Sequence, residues 1–150
     1  MIQLSLTRGR VALRLTAERL GADLAVTLSG GHRAHIGAVA VGQPRLDGGA
    51  TTSVLAVVGH REDELARVIA TRLAAATRGV VCVACGIHVD RIRPEEIDDI
   101  RRMSDALTER LLQRLAPGAG APRRRRQRAS SSHQRRSQAP KRRKPRRSTA

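Results

Sequence analysis

The stretch from Val80 to Val89 is an almost unbroken apolar run rich in valine, and it follows directly on a segment with helical periodicity. A run of this kind suits a strand covered on both faces. Before it, Leu65, Val68, Ile69, Leu73 and Ala76 recur on one face of a helix that starts near Arg61, and Gly79 separates the two elements. Glu62, Asp63 and Glu64 crowd the first turn, where carboxylates suit the positive end of the helix dipole. That explanation is preferred for Asp63 and Glu64.

The rest of the chain is arranged around this helix and strand. Ile2, Leu4 and Leu6 alternate with polar residues up to a break near Gly9, and Val11, Leu13 and Leu15 alternate again. Leu20-Gly21-Ala22-Asp23 reads as a turn, and Leu24, Val26 and Leu28 complete a hairpin. Small residues from Ile36 to Val41 form a third strand, and Thr51–Val58 a fourth. A second helix opens at Arg93-Pro94, carries Glu95, Glu96, Asp98 and Asp99 early, and buries Ile100, Met103, Leu107, Leu111 and Leu115. The order ββββαβα predicts an α+β fold, a largely antiparallel sheet of about five strands with two helices on one face.

Composition qualifies this picture at two points. The chain has no Phe, Tyr or Trp, so its core is built from Leu, Val, Ile and Ala, and a flat ligand is held without aromatic stacking. Of 29 Lys and Arg residues, 13 lie after Ala116 with no acid among them, which leaves 16 basic against 13 acidic residues, a net +3, in 1–116. The excess charge of +16 therefore belongs mostly to the tail. Residues 117–150 are expected to be a disordered Arg-rich extension, and 1–116 the folded domain. Cys82 and Cys85 are three apart in a strand and so face opposite ways, which disfavours a disulfide or metal clip and favours buried structural thiols. With no signal peptide and no apolar stretch of membrane-spanning length, the expected compartment is the cytoplasm.

Chemistry is suggested by placement. His32, His35, His60 and His88 all fall in loops or at element ends, and Asp90 follows His88 by two residues. Imidazoles with a carboxylate could bind a divalent cation, for which His60 and His88 are the candidates. Thr51, Thr52, Ser53 and the amides at Gly59-His60, ahead of a helix, could hold a phosphate. There is no nucleophile elbow, P-loop, dinucleotide fingerprint or paired Cys-x-x-Cys signature, so no motif indicates catalysis.

The segments GGHRAHIGAVAVG, TTSVLAVVGHREDELARVIATRL and VVCVACGIHVDRIRPEEIDDI resemble the prenylated-flavin chaperones, a family similar to the small accessory protein encoded with gallate-type hydroxyarylic acid decarboxylases. The resemblance runs from about Leu24 to Leu115, and its most specific pieces are His35-Ile36-Gly37, Gly59-His60 and Gly86-Ile87-His88-Val89-Asp90. Ala34 and Val58 stand where the family often has proline, and Arg91 where a small polar residue is usual. The resemblance implies a non-catalytic, dimeric protein with a fold like small proteasome-assembly chaperones. It also implies binding of prenylated FMN, or FMN, for a partner UbiD-type decarboxylase. The resemblance carries over His35, His60, His88 and Asp90, and together with Gly37 and the phosphate-holding Thr51, Thr52, Ser53 and Gly59 these are the expected cofactor contacts.

A second function class rests on the tail, whose 13 positive charges would bind nucleic acid or another polyanion with a steep salt dependence. The two classes separate experimentally. Truncation at Ala116 should leave flavin binding intact and abolish DNA binding, and a flat curve of DNA binding against salt would dismiss the charge run.

Overall fold

Alternation in the first twenty residues is interrupted at Gly9, whose φ of 56° lies in the left-handed region that a two-residue hairpin turn demands. Arg8 pairs directly with Val11 across it, so the stretch is two strands, β1 (Ile2–Arg8) and β2 (Val11–Leu20). The computed structural model describes residues 1–116, and the expected Arg-rich tail lies outside them. A second two-residue turn at Gly21-Ala22 leads into β3 (Asp23–Gly31), followed by β4 (Ala38–Pro44) and β5 (Ala50–Ala56). Helix α1 (Asp63–Thr77), strand β6 (Val81–His88) and helix α2 (Pro94–Leu115) complete the order βββββαβα.

The fold is α+β, as expected, with six strands in place of about five. They form one sheet in the order β1-β2-β3-β6-β4-β5. Only β3 and β6 run parallel. Strand β6 is thereby inserted between the β1-β2-β3 meander and the β4-β5 hairpin, and both helices lie on one face. Leu24, Val26 and Leu28 of β3 align with Val81, Val83 and Cys85 of β6 and with Ala40 and Ala38 of β4, giving a continuous buried layer.

The other face of β6 is open, contrary to the expectation of a strand covered on both sides. Cys82 is exposed and Ala84 only half-buried. Cys85 is buried, so the two thiols do face opposite ways, but only one of them is a core residue. Burial, aided by the nearby Glu62 charge, pushes the Cys85 thiol up to about 12, which leaves it protonated and unreactive.

Helix α1 buries Ala66, Ile69, Ala70, Leu73 and Ala74, a stripe rotated from the one expected, and Ala76 is exposed. Without large side chains the helix settles very close to the sheet. A Cβ on Gly42 would lie 2.5 Å from the Ala70 carbonyl oxygen and 3.1 Å from the Ala74 Cβ. Helix α2 packs on β1 and β2 through Ile100, Met103, Leu107 and Leu111, as its periodicity predicts.

The N-terminus of α2 is held by one charged clamp. Arg10, from the β1-β2 turn, donates to Glu96 at 2.7 and 3.0 Å and to the carbonyls of Asp90 and Arg91 at 3.1 and 3.2 Å. Glu96 also accepts the Arg93 amide at 2.9 Å, which closes the helix start. Arg91 has a φ of 50°, an unfavourable value for a side chain that these contacts help to hold. The Arg10 hydrogen bond, then the Arg93 amide, keep the Glu96 carboxyl far below its ordinary 4.5.

A carboxylate more acidic in the folded than in the unfolded chain contributes stability that is present above pH 4.5 and lost as pH falls below it. Glu96→Gln should therefore lower the Tm by several degrees at pH 7, and the gap to the natural sequence should narrow towards pH 3. Circular dichroism melts at both pH values measure this, and a gap independent of pH would refute the clamp's electrostatic role.

Candidate functional site

Strand directions decide where polar groups gather. The carboxyl ends of β3 and β6, the amino ends of α1 and α2, and the Gly9-Arg10 turn all reach one end of the sheet. The segments His32–Gly37, Val57–Glu62 and Val89–Arg93 converge there. Glycines permit the convergence. A side chain on Gly86 would strike the His35 carbonyl passing over it, and Gly31, at φ 73°, lies against the His88 carbonyl.

The first cluster is His35, His60 and Glu62. His35 Nε2 lies 3.0 Å from His60 Nδ1 and 3.2 Å from Glu62 Oε1, and the two rings are 4.5 Å apart between centroids. Glu62 is only 7% exposed, and its carboxylate accepts the amides of Ile87 at 3.1 Å and Arg61 at 3.0 Å. Gly37 makes room for it, because a Cβ there would overlap the Glu62 carboxylate. Burying a carboxylate is costly unless it is paired and hydrogen-bonded, and here both conditions are met by residues from three segments.

The second cluster surrounds Asp90. Its Oδ1 lies 2.9 Å from His88 Nε2 and its Oδ2 3.2 Å from His32 Nδ1, while Arg33 donates to His88 Nε2 at 2.6 Å. Contact with His88 first, and with His32 after the opposing loss of water, holds the Asp90 carboxyl below its ordinary value. The His35 and His88 rings meet edge-on at 6.2 Å, so the clusters adjoin.

Beside them, on the open face of the sheet, is a cavity of about 490 Å³. Thr7, Ala12, Arg14, Ser29 and Gly31 line it, and Ala34 of the histidine loop forms its rim.

Of the residues singled out from sequence, His35, Gly37, Gly59, His60, His88 and Asp90 come to this end of the sheet. Thr51, Thr52 and Ser53 do not. Thr52 is level with Gly42 and Val81, seven residues back along β6 from His88 and on the order of 20 Å away. Thr52 is instead bonded to Thr71 of α1 at 2.7 Å. The His60 amide is likewise committed, to the Val57 carbonyl at 3.1 Å, so Thr51–Ser53 and this amide do not form one phosphate cradle. Nor do His60 and His88 make one donor pair, since His88 Nε2 is turned to Arg33 and Asp90. Sequence reasoning misses Arg14, Ser29 and Arg33, and leaves Glu62 outside the helix-dipole explanation preferred for Asp63 and Glu64 without giving it a site role. The available signal for Glu62 is its position two residues after His60, just outside the helix.

Residues 7–116 match the family described as the prenylated flavin chaperone LpdD-like domain, a span that includes both histidine clusters and the Arg10 clamp. Among solved structures, a chain from the crystal structure of a novel chaperone complex for yeast 20S proteasome assembly is similar. It has 12% identity and a TM-score of 0.48, over 80% of this chain and 100% of that one. No curated protein matches. No helix among the described residues is long and apolar enough to cross a membrane.

Proposed function

The chain belongs to the prenylated flavin chaperone LpdD-like family, and from that premise we propose that it binds prenylated FMN without converting it and loads it into a partner UbiD-type (de)carboxylase. The observation that carries this reading is the 490 Å³ cavity beside the histidine clusters, a volume within the ~300–1,000 Å³ of small-molecule sites. Its lining is strand residues with mostly small side chains, Ser5, Thr7, Ala12, Ser29 and Gly31 among them, which leave room for a ring system. Arg14 in the lining supplies positive charge for the phosphate, in place of the hydroxyls of Thr51–Ser53. His88, whose Nε2 is engaged by Arg33 and Asp90, offers Nδ1 to the flavin's polar edge, and the His35 ring lies edge-on beside it.

A grip without aromatic stacking suits a carrier. Stacking on Tyr or Trp adds about 0.5–1.5 kcal/mol to an aromatic contact, and a protein that must surrender its cargo gains by forgoing it. The catalytic residues of such a pair would then belong to the partner enzyme. Homodimerisation is part of the same proposal. Strands β1 and β5 each leave one edge unpaired among the described residues, and β5 exposes Leu55 to 79%.

Anaerobic calorimetric titration with reduced prenylated FMN, and with FMN for comparison, tests the binding. Saturable binding should weaken about tenfold or more in both His88→Ala and Arg14→Ala, a loss of about 1.4 kcal/mol or more each. Loading is measured by adding the charged protein to an apo-decarboxylase. Activity should recover faster than with free cofactor, and equal rates would refute the chaperone role. Light scattering that returned a particle of 16.3 kDa would remove the dimer.

A further inference from the structure

We propose that His35 Nε2, His60 Nδ1 and the Glu62 carboxylate form a binding site for a first-row divalent metal ion of the Zn²⁺ type, with one coordination position left open. His35 Nε2 lies 3.0 Å from His60 Nδ1 and 3.2 Å from Glu62 Oε1, and His60 Nδ1 lies 3.6 Å from the other carboxylate oxygen, Oε2. With metal–ligand bonds of about 2.0–2.1 Å, the edge of a regular coordination tetrahedron is about 3.3 Å. The observed approaches are close to that length, with one carboxylate oxygen nearest to each histidine, and one ligand atom from each of the three residues can be chosen within 4.8 Å of the others. Two imidazoles with a carboxylate suit zinc, cobalt, nickel or ferrous ions better than the oxygen-seeking calcium or magnesium.

The surroundings are those of a supported ligand set. In the tautomer that donates from Nδ1 to the Arg33 carbonyl, 3.4 Å away, His35 Nε2 presents its lone pair to the cluster, as a metal ligand must. That lone pair points at a carboxylate oxygen and at a second ring nitrogen. In that tautomer Glu62 Oε1 faces a lone pair, and a cation at the centre of the group relieves the contact. The amides of Ile87 and Arg61 hold the Glu62 oxygens in place. Glu62 lies at the buried base of the group while the two histidine side chains are 21% and 32% exposed, so the open position is on the solvent side. An open position is the mark of zinc sites that bind a ligand, in contrast to closed structural ones.

The site stands or falls independently of flavin, so it is tested with none present. The full chain, stripped with a chelator, is titrated with Zn²⁺ by calorimetry and with Co²⁺ by visible absorption, against a chain that has no aromatic chromophore of its own. One ion per chain should bind, with the intense visible bands of low-coordinate cobalt, and should raise the melting temperature. His35→Ala and His60→Ala should each lose more than about 100-fold in affinity, beyond the 10–100-fold typical of residues that only support a ligand. Glu62→Gln also disturbs a buried anchor of two loop amides, so the two histidine variants carry the test, with circular dichroism confirming their structure. His133→Gln, in the tail, should change nothing. The proposal is overturned if zinc binds His60→Ala as well as the natural sequence, or if binding disappears in His88→Ala while surviving in His60→Ala.

Discussion

The parallel pairing of β6 with β3 is the contact on which the rest of the molecule depends. The first three strands form an antiparallel meander and β4-β5 a hairpin, and neither unit touches the other until β6 lies between them. Parallel pairing requires a crossover, supplied here by β4, β5 and α1 in sequence. It also fixes which ends coincide. Gly31 and His88 become neighbours, and the loops that follow them carry His32, Arg33, His35 and Asp90 into one region. An antiparallel β6 would have sent its carboxyl-terminal histidine to the far end of the sheet, beside Thr51–Ser53.

The absence of aromatic residues shapes everything packed around that sheet. Alanine fills the face of α1 where larger side chains would otherwise stand, and the helix approaches until only glycine fits at position 42 beneath it. Close approach compensates for small side chains, because dispersion contacts depend on distance. The same economy operates at the functional end. Gly31, Gly37 and Gly86 allow three backbone segments to pass nearly in contact, and the only ring-bearing donors in the described chain, its histidines, meet there. Arg10 ties this end to α2 by bonding a helix carboxylate and two loop carbonyls together, so the position of Asp90 depends on a turn about eighty residues earlier.

Much of this is legible in the residues themselves. Both helices, the buried stripe of α2, the opposed cysteines and the gathering of histidines at element ends follow from local periodicity and from where glycine and proline interrupt it. The motifs HIG, GH and GIHVD are specific enough to suggest the family that residues 7–116 match. Where sequence and structure part, the reasons are identifiable. Gly9 reads as a break in alternation, and only its left-handed backbone makes it a hairpin turn. The apolar run of β6 reads as a strand covered twice, because small residues on an open face look the same in sequence as small residues in a core.

By itself the sequence determined the α+β class, the change in composition between the charge-balanced residues 1–116 and the basic residues 117–150, and the presence of titratable groups at element ends. These are properties of short windows, where side-chain alternation and charge can be read directly. Tertiary structure alone decided strand order, and with it the sorting of those groups. Glu62 was drawn into the histidine cluster, Arg14 and Ser29 were placed in the cavity, and Thr51–Ser53 were left at the opposite end. Periodicity tells a residue which face it occupies, whereas its neighbours across a sheet are set by pairings between strands dozens of residues apart.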